Sequence, residues 1–231
     1  MSDLKKLEKR IGIEFQNQKY LQQALVHRSY INEHPDFTLG HNERLEFLGD
    51  AVLEIVITEY LFENYPDTPE GDLTNWRASL VNAKMLYTVA KDLGIEDYLL
   101  LSKGEAKDKN TKARQYILAN AIEALIGAMY LDQGIEGPKK FIVNNIVSRL
   151  DEILKNELYV DPKSKFQELA QEKEGVTPVY KTLSEEGPDH EKMFTVGLYL
   201  GEELVSTGTG LSKQEAQIMA AGLGLKAKNW E

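Results

Sequence analysis

The 231-residue chain contains no cysteine, which excludes disulfide scaffolds, thiolate zinc sites and cysteine nucleophiles together. It also lacks a long apolar run. The longest, AVLEIVI (51–57) and ALIGAMYL (124–131), fall far short of the roughly 20 residues that a membrane-spanning helix needs. The first ten residues, MSDLKKLEKR, carry no apolar segment of the secretory type, so a cytoplasmic protein with no membrane partner is expected. Basic charge is scarce as well: 27 Lys and Arg stand against 37 Asp and Glu, a formal net charge of −10. Phosphate binding is carried largely by Lys and Arg, so the deficit by itself argues against a nucleic-acid partner and favours cation chemistry or basic partners. What is present, 42% hydrophobic and 28% charged residues, is ordinary for a folded chain of one or two domains.

Residues 1–155 read as almost wholly helical. Leu45, Leu48, Val52 and Ile55 recur at helical spacing, as do Leu80, Leu86, Val89 and Leu93. Ile117, Ala121, Ala124, Leu125 and Ala128 form another stripe, and Phe141, Ile142, Ile146, Leu150 and Ile153 a further one. Breaks are expected at Pro35, across Tyr65 to Gly71, at Gly94, at Lys103-Gly104 and from Gly134 to Pro138. Beyond a short linker at 156–160 the texture changes. A helix at about 163–173 is followed by strand-period segments at 178–183, 194–200 and 203–207, the last two joined by a turn at Gly201-Glu202. Ser212 then opens an alanine-rich helix. The expected architecture is mainly α: an all-α domain over 1–155, then a small α+β domain of order α-β-β-β-α over 161–231.

Glu43, Glu46 and Asp50 stand at i, i+3 and i+7, within an arc of roughly 60° on a helix. A second helix carries Asn120 and Glu123 at i and i+3. An acidic stripe is commonly just a solvated face, and for the first three acids that reading stays open. Glu123 differs, because a carboxylate among Ala, Ile and Leu is expensive to bury unpaired. Two helices that present carboxylates to each other suit a hard divalent cation. A di-iron bundle needs Glu-x-x-His pairs, and none is present; His27, His34 and His41 lie off the two acid helices. Mg²⁺, with Mn²⁺ as a substitute, is therefore expected over iron or zinc.

Asn42 to Asp50, NERLEFLGD, resembles the signature of the ribonuclease III catalytic domain. ALVHRSY (24–30), Glu70-Gly71-Asp72-Leu73 with Arg77 to Val81, and EALIGA (123–128) resemble three further segments of that family in the same order. The resemblance implies a magnesium-dependent endoribonuclease that cuts double-stranded RNA to 5′-phosphate and 3′-hydroxyl ends. It implies Glu46, Asp50 and Glu123 as metal ligands, with Asp50 and Glu123 catalytic, and Glu43 and Glu70 as supporting acids. Phe47 matches an aromatic that contacts a second copy in a homodimer. No small-molecule cofactor is implied. At position 120 the family usually has Asp as a further ligand, whereas Asn120 offers an amide oxygen without charge. Two readings follow: a working or weakened nuclease with Asn120 as a neutral ligand, or a non-catalytic binder of double-stranded RNA.

Residues 161–228 resemble the double-stranded-RNA-binding domain. The likeness is carried by DPKSKFQEL (161–169), Pro178-x-Tyr180, Gly187-Pro188-Asp189-His190, and GTGLSK (208–213) with Ala216, Ala220 and Ala221. It implies that Ser164, Gln167 and Gln171 meet one minor groove, that His190 meets the next, and that Lys213 holds phosphate. Where the family usually continues with base after Lys213, Gln214 and Glu215 stand here. From 161 to 231 there are 8 Lys, no Arg and 12 acids. Binding is therefore expected to be weak and salt-sensitive, carried by a local patch of Lys163, Lys165 and Lys213. The resemblance implies a role in RNA processing, with ribosomal and messenger precursors both open as substrates.

Overall fold

The computed structural model describes residues 4–108, 111–156, 159, 161–188 and 192–230. The chain divides into two compact units, Met1–Tyr159 and Val160–Glu231. Most of the expected linker at 156–160 lies outside the described residues. None of the helices among the described residues is long and apolar enough to cross a membrane.

The first unit is all helical. It runs α1 (Leu4–Ile11), α2 (Gln18–Ala24), α3 (Arg28–Glu33), α4 (Glu43–Asn64), α5 (Glu70–Val81), α6 (Ala83–Asp92), α7 (Lys103–Lys107), α8 (Lys112–Gln133), α9 (Glu136–Asn145) and α10 (Leu150–Lys155). α8 is the central element, packed against α4, α6, α2 and α9. Its middle, Leu118 through Met129, is alanine-rich and apolar on nearly all sides, the pattern of a helix enclosed by others. Thr111 starts it by accepting from the Arg114 amide at 3.1 Å, and Gly134, at φ 68°, follows its last residue.

The α4–α8 seam is unusually close because glycine faces backbone on both helices. A Cβ on Gly49 would lie 1.7 Å from the Glu123 carbonyl oxygen, and one on Gly127 would lie 2.2 Å from that of Leu45. The start of α4 is pinned by Asn42, which is buried: its amide donates to the Val26 carbonyl at 2.9 Å and its side chain to that of Ala24 at 3.2 Å.

Four helix boundaries differ from the sequence reading. The stripe from Leu80 to Leu93 is split at Asn82, whose extended backbone ends α5 and whose side chain accepts from Met85 to cap α6. Lys103-Gly104 is no break: Ser102 caps α7 there, accepting from Glu105 at 3.2 Å. Pro138 sits in the first turn of α9, where the missing N–H removes no helical bond. The stripe from Phe141 to Ile153 is two helices with a 3₁₀ turn at Val147–Arg149 between them.

The second unit follows the order α11 (Pro162–Glu174), β1 (Val179–Glu186), β2 (Met193–Leu200), β3 (Glu203–Gly210) and α12 (Lys213–Lys228). The strands form an antiparallel sheet in sequence order, with Gly201 at φ 59° in the β2–β3 turn. α12 lies on β2 and β3, and α11 on α12, around Phe166, Leu198, Ala220, Ala221 and Leu225. Gly208 permits this: a Cβ there would sit 2.3 Å from the Ala220 nitrogen. That contact explains glycine on the strand and alanine on the helix at these positions.

Candidate active site and nucleic-acid interface

The glycine seam fixes which side chains meet. Around the Gly49 approach, α4 places Asp50 next in sequence and Glu46 one turn before, and α8 places Glu123 at the contact itself and Asn120 one turn before it. Glu46, Asn120 and Glu123 are part-buried, and Asp50 is exposed. Burial first, then the charges of Asp50 and Glu46, push the Glu123 carboxyl up to about 7. Glu46 is also raised, by burial, by Glu43 and by Asp50, while a hydrogen bond from Asn120 opposes the rise. Three of the expected ligands thus act on one another across the seam, and the fourth, Asn120, touches Glu46. Among the described residues, however, no three acidic or imidazole groups converge as a ready-made metal cage.

Glu43 stands one turn before Glu46 and is steadied from outside. Its carboxylate lies 3.3 Å from Arg28 and 3.7 Å from the His41 Nδ1. Arg28 opens α3, and His27 caps that helix by accepting from the Ser29 amide through Nδ1. Burial holds the His27 imidazole below its usual range, in the neutral form that this cap uses. The ALVHRSY segment therefore serves the acid helix through Val26, which accepts from Asn42, and through Arg28.

Glu70 lies apart from this group. It opens α5, accepts from the Thr74 hydroxyl at 3.2 Å, and is not among the charges that act on Glu46 or Glu123. It lines a groove of about 230 Å³ between α4 and α5, with Leu61, Phe62, Leu73 and Arg77. Phe47 is 82% exposed, which rules out ordinary core packing. Ile55 (58%) and Phe62 (75%) are exposed on the same helix, within roughly 80° of arc from Phe47 at 100° per residue. Sequence reasoning missed Gly49, Gly127 and Ile55. Helical spacing grouped Ile55 with the core positions, and only burial separates them.

In the second unit Ser164, Gln167 and Gln171 are exposed on one face of α11. Ser164 is engaged with the cap, its hydroxyl donating to Asp161 at 2.9 Å. Glu168 and Glu172 share a shallow groove with the two glutamines. Lys213 opens α12 behind the Ser212 cap and pairs with Glu185 at 2.8 Å. Lys163 donates to Gln217 at 2.8 Å and stands over the Tyr180 ring. His190 lies outside the described residues.

Residues 17–150 match the family model for ribonuclease-III-like proteins, and residues 162–227 that for the double-stranded RNA binding motif. The chain is 44% identical over 220 residues to ribonuclease 3 of Carboxydothermus hydrogenoformans, covering 95% of this chain and 93% of that protein. It is 41% identical over 226 residues to ribonuclease 3 of Borreliella burgdorferi, covering 98% and 91%. The nuclease domain of ribonuclease III from Campylobacter jejuni matches 64% of this chain and 97% of its own length, at 39% identity and a TM-score of 0.57. A second structure of that domain, with the same identity and TM-score and matching 63% of this chain, concerns flexibility in its region involved in dimer formation.

Proposed function

The chain belongs to the ribonuclease III family and is an endoribonuclease of that type; from this premise we propose that it hydrolyses double-stranded RNA at the α4–α8 seam, leaving 5′-phosphate and 3′-hydroxyl ends. The observation that carries the reading is the group Glu46, Asp50, Asn120 and Glu123, gathered from two helices by a glycine contact, with the Glu46 and Glu123 carboxyls raised by burial and by neighbouring carboxylates. All donors are hard oxygens, with no imidazole or thiolate, which suits Mg²⁺ or Mn²⁺. A cation would offset the burial and the neighbouring charges that together raise Glu123. Glu46, Asp50 and Glu123 would hold it, with Asn120 as a neutral donor.

When bound, such a cation supplies charge neutralisation for the phosphate and activation of a water for in-line attack. The residues themselves set the conditions. With its carboxyl raised to about 7, Glu123 is only partly ionised near neutral pH and its protonated fraction must lose a proton to serve as a ligand, so loading is proton-coupled. Asn120, which hydrogen-bonds Glu46, must turn its amide oxygen inward to contribute. Arg28 steadies Glu43, whose charge adds to the field at Glu46.

Two further elements belong to the proposal. The exposed stripe of Phe47, Ile55 and Phe62, with a groove beside Phe62, supports a self-complementary homodimer that brings two sites to one duplex, one per strand. The second unit supports a duplex-RNA partner, with Ser164, Gln167, Gln171, His190 and Lys213 as its contacts, and the whole serves RNA processing.

The test is cleavage of a long RNA duplex in Mg²⁺, with EDTA and Glu123→Gln as controls. Cutting that both controls abolish, while duplex binding persists, is expected. Binding without any cutting in Mg²⁺ or Mn²⁺ would replace the nuclease reading with that of a non-catalytic binder, disabled where Asn120 carries no charge.

A further inference from the structure

Lys213 is already occupied. Its Nζ lies 2.8 Å from Glu185 Oε1 and 5.6 Å from the centroid of the Phe194 ring. Glu185 and Phe194 are directly paired across β1 and β2, so the cradle that receives the ammonium is built on two hydrogen-bonded strands rather than on a loop. The same carboxylate also reaches Lys192, at 3.9 Å. The partnership with Lys213 holds the Glu185 carboxyl below its ordinary range. Lys163, the other patch lysine whose contacts are defined, is tied differently, to the neutral amide of Gln217 and the ring of Tyr180.

An RNA phosphate and the Glu185 carboxylate present the same chemistry to Lys213: anionic oxygens that accept a charge-assisted hydrogen bond from one ammonium. Lys213 has a four-carbon stem and a single point charge, so it does not serve both at full strength. A phosphate that takes Lys213 must first displace Glu185 and then sit near a carboxylate left without that partner. We propose that Glu185 is an intramolecular competitor for RNA at Lys213, and that it sets the affinity and salt response of the duplex-binding unit. The proposal rests on the reading of Lys213 as a phosphate contact.

The opposite role, in which Glu185 holds Lys213 in place for RNA, predicts the opposite sign, and this makes the test decisive. Binding of the full chain to a duplex of about 20 bp, enough to fill the roughly 16 bp such modules span, is followed by fluorescence anisotropy in EDTA, so that nothing is cut. Glu185→Gln is compared with Lys213→Ala, with the double variant, and with Glu186→Gln. The last removes the same charge from the next strand position, which faces the other way. At low salt Glu185→Gln is expected to bind roughly two- to tenfold more tightly, the range of an exposed ion pair plus the repulsion it leaves behind. The gain shrinks as salt rises, giving a steeper salt dependence than that of the unaltered chain. It shrinks in the Lys213→Ala background and is smaller for Glu186→Gln.

Equal or weaker binding by Glu185→Gln overturns the competitor role. So does a gain that persists undiminished without Lys213, because then only general repulsion is at work. Unaltered binding by Lys213→Ala overturns the phosphate assignment from which the proposal starts. Failure of the unaltered chain to bind duplex at all refutes the double-stranded-RNA reading itself, and with it the competitor, and is distinguished from the other results by the unaltered chain alone.

Discussion

Replacing Gly49 by alanine separates two explanations of the acid cluster: carboxylates positioned by helix contact, or carboxylates that merely share a solvated face. The added Cβ would lie 1.7 Å from the Glu123 carbonyl oxygen and 2.8 Å from the Gly127 nitrogen. Non-bonded carbon does not approach oxygen much closer than about 3.2 Å, so the backbones must part by roughly 1.5 Å. A gap of 0.5–1 Å already forfeits about a quarter to a half of the attraction between packed atoms. Along the most extensive helix contact of the first unit, this should cost about 3–5 kcal/mol, in the range of severe core substitutions. The corresponding drop in melting temperature is roughly 10 °C. The same movement carries Glu46 and Asp50 away from Asn120 and Glu123, so cleavage should fall on the order of 100-fold in whatever protein remains folded. Circular-dichroism melting and a duplex cleavage assay read the two effects. Gly222→Ala is the control: it lies within α12 with nothing within 4 Å of its Cβ position, and should stabilise its unit by about 0.5–1 kcal/mol. A Gly49→Ala protein that melts within about 2 °C of the parent and cuts at the parental rate would refute the positioning argument.

Three other outcomes follow from the same geometry. The Glu123 carboxyl is raised from 4.5 to about 7, chiefly by burial; its contribution to the stability of the cation-free protein is therefore complete below pH 4.5 and lost as pH rises through about 7. Discounted for the part of the side chain that water reaches, the loss is roughly 1–2 kcal/mol. Melts in EDTA between pH 5 and 8 should accordingly fall less for Glu123→Gln than for the parent, and parallel curves would contradict the assignment. Asn120→Asp adds a fourth carboxylate and removes the hydrogen bond that restrains Glu46. It should cut faster at lower Mg²⁺, and an unchanged metal titration would show that position 120 is no ligand. Phe47→Asp places a charge on the exposed stripe of α4 and should shift sedimentation from twice the chain mass to 26.2 kDa; a parent already monomeric would remove the dimer.

Much of the fold was legible because local rules and tertiary packing agree. The order α-β-β-β-α, the Gly201-Glu202 turn and the Ser212 cap all appear where alternation and cap chemistry indicate them. The boundaries that differ arise where a cap residue, a proline in a first turn or a 3₁₀ turn overrides what the local pattern indicates. Asn82 ends one helix and caps the next between Leu80 and Leu86, which six residues at 100° each place about 120° apart on a single helix. The candidate site was legible as residue types at helical spacing, but its assembly was not. Nothing local to α4 states that Gly49 meets the Glu123 carbonyl, because a helix interior glycine is indistinguishable from a weak helix position until its neighbour is known. Asn42 is similar: it reads as an N-cap by type, yet it makes no side-chain cap bond and instead ties α4 to the Ala24 carbonyl.

Net charge misled for a related reason. A total of −10 argues against a phosphate partner only if every charge is free to act on that partner. Glu46, Asp50 and Glu123 act first on one another. In the second unit, Lys228 is committed to Glu174 and Glu203, and Lys213 to Glu185. Lys181 stands over Tyr199 and Lys173 over Trp230. The lysines that fold the module and the lysine expected to hold RNA draw on the same small supply of base. A duplex must therefore win its contacts from internal partners, and local pairing, more than the sum of charges, decides the salt at which it lets go.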